Sequence, residues 1–198
     1  MNVTSPRATT RAADGFARRA FAVDDIRTMI DAGLIAPEER FELIEGDIVM
    51  MSMQHIAHER IKHALAFAFA RAAGDDVYVA VASALQLADD VLAVPDLAIV
   101  ARDVYKAEPH SFARPRAQDL RMIVEIATAT LAYDRKIKAR LYARHGISEY
   151  WIVDAETQIA YVHRGPHGDE WDVVNELHAT DKLTTPCLPS FAFMLAQA

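Results

Sequence analysis

A helix that runs directly into a buried strand is the feature that most constrains the fold of this chain. The stretch TLAYDRKIKARLYARHGISEYWIVDA, residues 130–155, carries Asp134, Lys138 and Tyr142 at every fourth position. A helix places residues with that spacing on one stripe. A glycine follows the stripe, and EYWIVDA has the composition of a buried strand. The stripe is either a surface ion pair beside a packing aromatic, or it directs the lysine into an active site.

The rest of the chain alternates between helical and strand-like patterns. AVDDIRTMIDAGLI predicts a short helix capped by Asp24 or Asp25, and HIAHERIKHALAFAFARAAG predicts a long amphipathic helix that ends at Gly74. FELIEGDIVMMS predicts a hairpin around EGD. Further strands are predicted in VYVAVAS, ALQLAD, PDLAIVA, LRMIVEIAT, YWIVDA, IAYVHRG and EWDVVNEL. This order predicts an α/β (or α+β) domain built around one central mixed sheet.

Length and composition predict a single soluble domain. The 198 residues are 52% hydrophobic and 25% charged, which suits one well-formed core. We expect residues 1–20 to be a flexible leader and residues 21–198 to be the domain. No apolar run is long enough to span a membrane, and the arginine-containing N-terminus lacks the apolar region of a signal peptide. One cysteine, Cys187, fits a reducing cytoplasm.

Two carboxylates occupy positions that are costly without a partner. Glu125 interrupts the apolar strand RMIVEIAT, and Asp96 follows Pro95 at the start of another strand. Two carboxylates brought together by a sheet repel each other, and a divalent cation relieves that repulsion. The alternative is structural: Asp96 caps a turn and Glu125 points outward from a half-exposed sheet.

The charge balance bears on the class of partner. The formal net charge of −7 argues mildly against a protein that binds nucleic acid through nonspecific phosphate contacts. Basic residues nevertheless cluster at 114–121 and 135–144, and a metal-dependent nuclease concentrates acids at its site. Net charge alone therefore does not decide whether the chain binds nucleic acid.

Several of these segments together resemble a known family. FELIEGDIVMMS, His58, VPDLAIV, IVEIATATLAYDRKIKARLYARHGISEYWIVD and LPSFAF are similar to the Uma2 family of restriction-endonuclease-like proteins, within the PD-(D/E)xK nuclease superfamily. The resemblance covers nearly the whole chain from about residue 20. It implies a restriction-endonuclease-like core, in which helices flank a central mixed sheet and a divalent-metal site lies at one end.

The resemblance also implies roles for individual residues. Asp96 and Glu125 would hold Mg²⁺ or Mn²⁺, and the carbonyl of Ile126 would complete the protein ligands. The superfamily usually places its lysine two residues after the second acid, where this chain has Ala127. Members resembling this chain supply the lysine from the following helix, which fits Lys138.

Other residues would support that site. Glu42 and Glu45 both match positions that the family fills with similar residues. Either glutamate could be a further catalytic acid that holds metal-bound water, and Glu42 is the better candidate because it alternates with apolar neighbours, whereas Glu45 belongs to a turn. His58 is either a packing histidine or a catalytic one. Asp134 and Tyr142 share the stripe of Lys138, and Tyr142 alone would be a core aromatic.

The resulting prediction is metal-dependent hydrolysis of nucleic-acid phosphodiesters, with DNA as the expected substrate. Lys138 would orient water or stabilise charge in the transition state, so that Lys138→Ala would spare folding and remove most activity. One alternative is a catalytically inactive nuclease fold that serves as a DNA-binding or interaction module. Another is a small-molecule phosphohydrolase. Cleavage of both strands would call for a homodimer, with EYWIVDA and IAYVHRG either at its interface or in the core.

Overall fold

The computed structural model describes residues 19–36, 38–106 and 112–198. Most of the predicted leader, residues 1–18, lies outside the described residues. Within the described ranges, none of the helices has the length and apolar character that crossing a bilayer would take.

The described chain contains twelve strands and three helical regions, the last of which combines α-helical and π-helical turns. The strands are β1 (Phe41–Ile44), β2 (Asp47–Met50), β3 (Val77–Val81), β4 (Leu85–Ala88), β5 (Val91–Ala93), β6 (Leu97–Ala101), β7 (Leu120–Ala127), β8 (Glu149–Asp154), β9 (Ile159–His167), β10 (Glu170–Leu177), β11 (Leu183–Thr185) and β12 (Leu188–Phe193). The helices are α1 (Val23–Asp31), α2 (Ile56–Ala72), α3 (Leu131–Tyr133) and α4 (Ala139–Arg144), with a π-helical stretch at Asp134–Lys138. Short 3₁₀ turns lie at Arg102–Lys106, Ala117–Asp119 and Leu195–Gln197.

A six-stranded mixed sheet forms the centre, in the order β10-β9-β8-β7-β6-β3. Strands β7 and β8 pair in parallel, and the other neighbours pair antiparallel. A parallel pair needs a crossover connection, and α3 and α4 provide it. All six residues of β8 are buried, as expected of a strand covered on both faces. The predicted mixed sheet flanked by helices is confirmed.

A second sheet and an extra strand were not predicted. The order of the second sheet is β2-β1-β5-β4, and it is antiparallel throughout. Only three strands were expected between residues 77 and 101, but Val91–Ala93 forms a fourth. This segment is too short to show an alternating pattern. The strand predicted from Pro95 begins instead at Leu97, which leaves Asp96 just before the ladder.

The two faces of the central sheet have separate cores. Helix α2 and strand β12 cover one face, where Phe69 stacks on Phe191 at 4.4 Å between ring centroids and Trp151 packs beside them. The crossover helix and the second sheet cover the other face, where the rings of Tyr142 and Tyr150 meet edge to face at 4.9 Å. Both cores pack against the central strands β7 and β8, which positions the end of β7 between them.

The crossover helix departs from the regular stripe predicted for it. The amide of Ala139 donates to the carbonyl of Asp134, five residues earlier, which marks a π turn. Gly146 follows the helix with a φ of +69°, as the predicted stop requires. At α1, the predicted cap is wrong: the helix is capped at Ala22, whose amide donates to the Asp25 carboxylate at 2.9 Å. An acid at the third helical position reaches back in this way.

The structure shows where the two segments lie that the sequence placed either at a dimer interface or in the core. EYWIVDA is the fully buried strand β8, and IAYVHRG begins strand β9, which is paired on both edges. Both segments therefore belong to the core of the sheet. The edge strand at this side is β10, where Val173 and Val174 are exposed.

Candidate active site

A cleft of about 180 Å³ opens beside the start of β6 and the end of β7. Leu97 of β6 pairs with Val124 of β7, so Asp96 and Glu125 each lie one residue beyond that pair and next to each other. Every site residue predicted from the sequence lines the cleft except Tyr142. The acids among them are Glu42, Asp96, Glu125 and Asp134, and the others are His58, Ile126 and Lys138.

Asp96 is held by hydrogen bonds to both of its carboxylate oxygens. Its Oδ2 accepts the Ile126 amide at 2.9 Å and lies 3.0 Å from His58 Nε2. Its Oδ1 accepts the side-chain amide of Gln54 at 3.0 Å. Because an ionised carboxylate can only accept, His58 Nε2 is the donor in its bond. The sequence alone did not decide whether His58 is a packing or a catalytic residue. In the structure it contacts Asp96, the first of the predicted metal ligands.

Lys138 lies between two buried glutamates. Its Nζ is 2.8 Å from Glu125 Oε1 and 2.9 Å from Glu42 Oε2. Glu42 also accepts the amide of Val94 through Oε1 at 2.8 Å. The preference for Glu42 over Glu45 agrees with this placement, because Glu45 lies in the β1–β2 turn with a φ of +51° and forms an exposed ion pair with Arg144.

Burial changes the protonation of this group. Burial raises the pKa of Glu125 to about 8, although Lys138 opposes the shift and Glu42 adds to it. Burial alone would lower the pKa of Lys138, but Glu125 and Glu42 outweigh it and raise that pKa above its ordinary value. All three residues are no more than 5% exposed. This burial revises the expectation that Lys138→Ala would spare folding, because the change would strip two buried acids of their cation.

The remaining residues of the stripe are also buried. Tyr142 donates its hydroxyl to Glu125 Oε1 at 2.8 Å, so it is both a core aromatic and a partner of the site. Asp134 and Lys138 are both buried, which excludes the surface-pair alternative. Burial raises the pKa of Asp134. Tyr133, which sequence reasoning missed, lines the cleft, and burial raises the pKa of its hydroxyl to about 12.

Two further residues were missed because nothing in their local pattern marks them. Lys62 occupies the long amphipathic helix, where a lysine is ordinarily solvated, yet it is 6% exposed. Gln54 lies in the loop before that helix. Lys62 Nζ donates to Gln54 Oε1 at 2.8 Å and to Glu59 Oε1 at 2.6 Å. The first of these hydrogen bonds makes Lys62 an indirect neighbour of Asp96.

The basic clusters are largely neutralised by acids. Arg140 and Arg144 both bond to Asp169, and Arg116 bonds to Asp119. Lys138 is the one lysine or arginine among the described residues that line the cleft. The cleft therefore presents an acidic interior rather than a cationic groove.

The oxygen donors fit a hard divalent cation. Asp96, Glu125 and the backbone at Ile126 meet at one cleft, and carboxylate and carbonyl oxygens are the ligands that Mg²⁺ prefers. Within the described ranges, no three His, Cys, Asp or Glu side chains are grouped so as to hold a metal by themselves. A cation here would complete its shell with water or substrate oxygens, as Mg²⁺ commonly does.

Comparisons with known proteins agree with this architecture. A family model described as Uma2, "Putative restriction endonuclease", matches residues 24–197. Among solved structures, a protein described as "a putative nuclease belonging to DUF820" from Anabaena variabilis ATCC 29413 has a TM-score of 0.65 at 16% sequence identity, over 89% of this chain and 96% of that chain. At that identity the likeness shows the fold alone. No curated protein matches the chain.

Proposed function

The chain belongs to the Uma2 family, and from that premise we propose that it is a metal-dependent endonuclease that hydrolyses phosphodiester bonds in nucleic acid, with DNA as its substrate. One observation carries the proposal. Asp96, just before β6, and Glu125, within β7, reach a single cleft, and Lys138 touches Glu125 there from the crossover helix. Acid, acid and lysine thus converge although the chain has Ala127 where the usual pattern has lysine.

Each residue has a role in this proposal. Asp96, Glu125 and the Ile126 carbonyl would hold Mg²⁺ or Mn²⁺. When bound, such a cation acts as a Lewis acid that polarises a phosphoryl oxygen and favours ionisation of water. The Lys138 ammonium stabilises negative charge as it develops on the phosphate. Glu42 and Tyr142 do not need to touch substrate: Glu42 fixes the Lys138 ammonium, and Tyr142 fixes the Glu125 carboxylate.

Metal binding and cleavage test the proposal together. Mg²⁺ and Mn²⁺ are titrated by calorimetry into wild type and Asp96→Asn/Glu125→Gln, and nicking of supercoiled plasmid is followed in parallel. The control is Glu170→Gln/Glu176→Gln, which removes two exposed acids from β10. We expect binding and nicking in wild type and in the control, and loss of both in the cleft variant.

Other outcomes would contradict the proposal in different ways. If a folded wild type binds neither metal and cuts no nucleic acid, the acids are structural and the chain is a binding module. If metal binds but hydrolysis is confined to a generic small phosphodiester, and single-stranded DNA, duplex DNA and RNA stay intact, the chain is a small-molecule phosphohydrolase.

The proposed oligomeric state depends on whether one or both strands of the duplex are cut. One site of this kind cuts one strand, so a homodimer is proposed for cleavage of both strands. Sedimentation of the free protein and of its complex with duplex DNA tests the dimer, and a monomer in both would refute it. Cytoplasmic location stays a prediction.

A further inference from the structure

A buried lysine on α2 has no part in the proposed chemistry. Lys62 is 6% exposed, and its Nζ bonds to Gln54 Oε1 and Glu59 Oε1. Burying an ammonium is costly unless its donors are satisfied. Glu59 lies beside it on the same helix and already provides a charged partner at 2.6 Å. The second bond, to a neutral amide in the loop before the helix, therefore calls for a separate explanation.

That second bond determines which way the Gln54 amide faces. A lysine ammonium can only donate hydrogen bonds, so the Gln54 atom that it contacts must be the oxygen. The Gln54 nitrogen then faces Asp96 Oδ1, to which it donates at 3.0 Å. With Lys62 absent, the amide is free to turn its oxygen toward the Asp96 carboxylate, which would repel it.

The orientation of Gln54 in turn limits how Asp96 can bind. The Ile126 amide and His58 occupy both lone-pair directions of Asp96 Oδ2. Gln54 occupies one direction of Oδ1, and no second donor to that oxygen is found among the described residues. A carboxylate oxygen has about two acceptor directions. Three donors from three segments of the chain therefore hold this carboxylate so that one oxygen direction is available for a ligand.

We propose that Lys62 and Gln54 are positioning residues that hold Asp96 ready for a divalent cation. The inference rests on the proposed function, because it gives Asp96 the role of a metal ligand. Hydrogen bonds to a ligand's other atoms orient it, and their loss typically weakens metal binding by about 10–100-fold. Lys62 acts on Asp96 indirectly, because it contacts Gln54 and Gln54 contacts Asp96.

The test measures the Mn²⁺ affinity of the folded protein by calorimetry. Lys62→Met removes the donor and keeps an apolar chain of similar length, and Gln54→Met removes the amide. Arg60→Met is the matched control, because it removes one positive charge from the exposed face of the same helix. The unfolding free energy of each variant is measured separately, so that lost affinity can be separated from lost stability.

We expect Lys62→Met and Gln54→Met each to weaken Mn²⁺ binding by about 10–100-fold, while Arg60→Met binds as wild type does. Since both residues act through one path, the double variant should lose no more affinity than the weaker-binding single variant. If Lys62→Met does not fold, Gln54→Met carries the test, because Gln54 is only half-buried and lies in a loop.

Three results would overturn the inference. Wild-type affinity in the variants, even with reduced stability, would make Lys62 a structural ion-pair residue. Losses that add in the double variant would show that the two residues do not act along one path. Absence of Mn²⁺ binding in folded wild type would overturn this inference and the proposed function together, whereas the first two results leave the proposed function intact.

Discussion

Replacing Lys138 with methionine should destabilise the fold strongly, and more so at alkaline pH. The change keeps an apolar stem but removes an ammonium that lies 2.8 Å from Glu125 and 2.9 Å from Glu42. Removing one partner of a buried ion pair costs about 3–5 kcal/mol, because the other charge stays buried and unpaired. An exposed pair would cost less than about 1 kcal/mol.

The pH dependence follows from the direction of the Glu125 pKa. In the folded protein that pKa is raised from 4.5 to about 8, so the folded state binds the proton more tightly than the unfolded chain does. The stability that this proton contributes is present below about pH 4.5 and is lost as pH rises through about 8. Removing Lys138 raises the Glu125 pKa further, because Lys138 opposes the shift. The penalty of the substitution should therefore be larger at pH 8.5 than at pH 5.5.

Urea denaturation of wild type and Lys138→Met at both pH values provides the measurement. We expect a loss of about 3–5 kcal/mol at pH 8.5 and a loss smaller by more than about 1 kcal/mol at pH 5.5. Lys136→Met, an exposed lysine of the same helical region, should stay within about 0.5 kcal/mol of wild type. Adding Glu125→Gln to Lys138→Met should restore part of the lost stability. A loss below about 1 kcal/mol at both pH values would refute the buried ion triad formed by Lys138, Glu125 and Glu42.

Other substitutions test the surroundings of the cleft and the cores. Tyr142→Phe removes the 2.8 Å hydrogen bond to Glu125 and should cost about 1–3 kcal/mol in urea denaturation; a neutral result would mean that the bond is absent in solution. Phe69→Ala should cost about 3–5 kcal/mol, whereas Phe67→Ala, which is 65% exposed on the same helix, should change little; equal losses would place α2 in another orientation. Gly46→Ala should lower the melting temperature, because φ is +84° and the new Cβ would lie 2.6 Å from the Cβ of Ala20; an unchanged melting temperature would contradict that turn.

Much of the architecture was readable from the sequence because its elements have strong periodic patterns. The long amphipathic pattern became α2, and the apolar run LRMIVEIAT became the central strand β7. Glu42 could be chosen over Glu45 because a residue that alternates with apolar neighbours in a strand shares no face with them. The two acids and the lysine could be named because each departs from the pattern around it or matches a family segment.

The rest depends on contacts that only the tertiary structure creates. Val91–Ala93 is too short to show a period, although it pairs with two strands of the second sheet. Nothing local distinguishes the buried Lys62 from the solvated Arg60 two residues away. The π turn at Asp134–Lys138 adds a residue to a helix whose sequence gives no sign of the insertion. In each case, the neighbours that decide the outcome come from distant segments.

The ion triad of the cleft also bears on the order in which parts of the protein fold. Glu42 and Lys138 are 96 residues apart, and the bond between Glu42 and the Val94 amide spans 52. Contacts between distant segments stabilise the chain only after the entropy of closing the intervening loop has been lost. We therefore expect the cleft to close late during refolding. If the chain binds Mn²⁺ as proposed, we expect that binding, followed by stopped flow, to lag behind the recovery of secondary structure and to report a late step of folding.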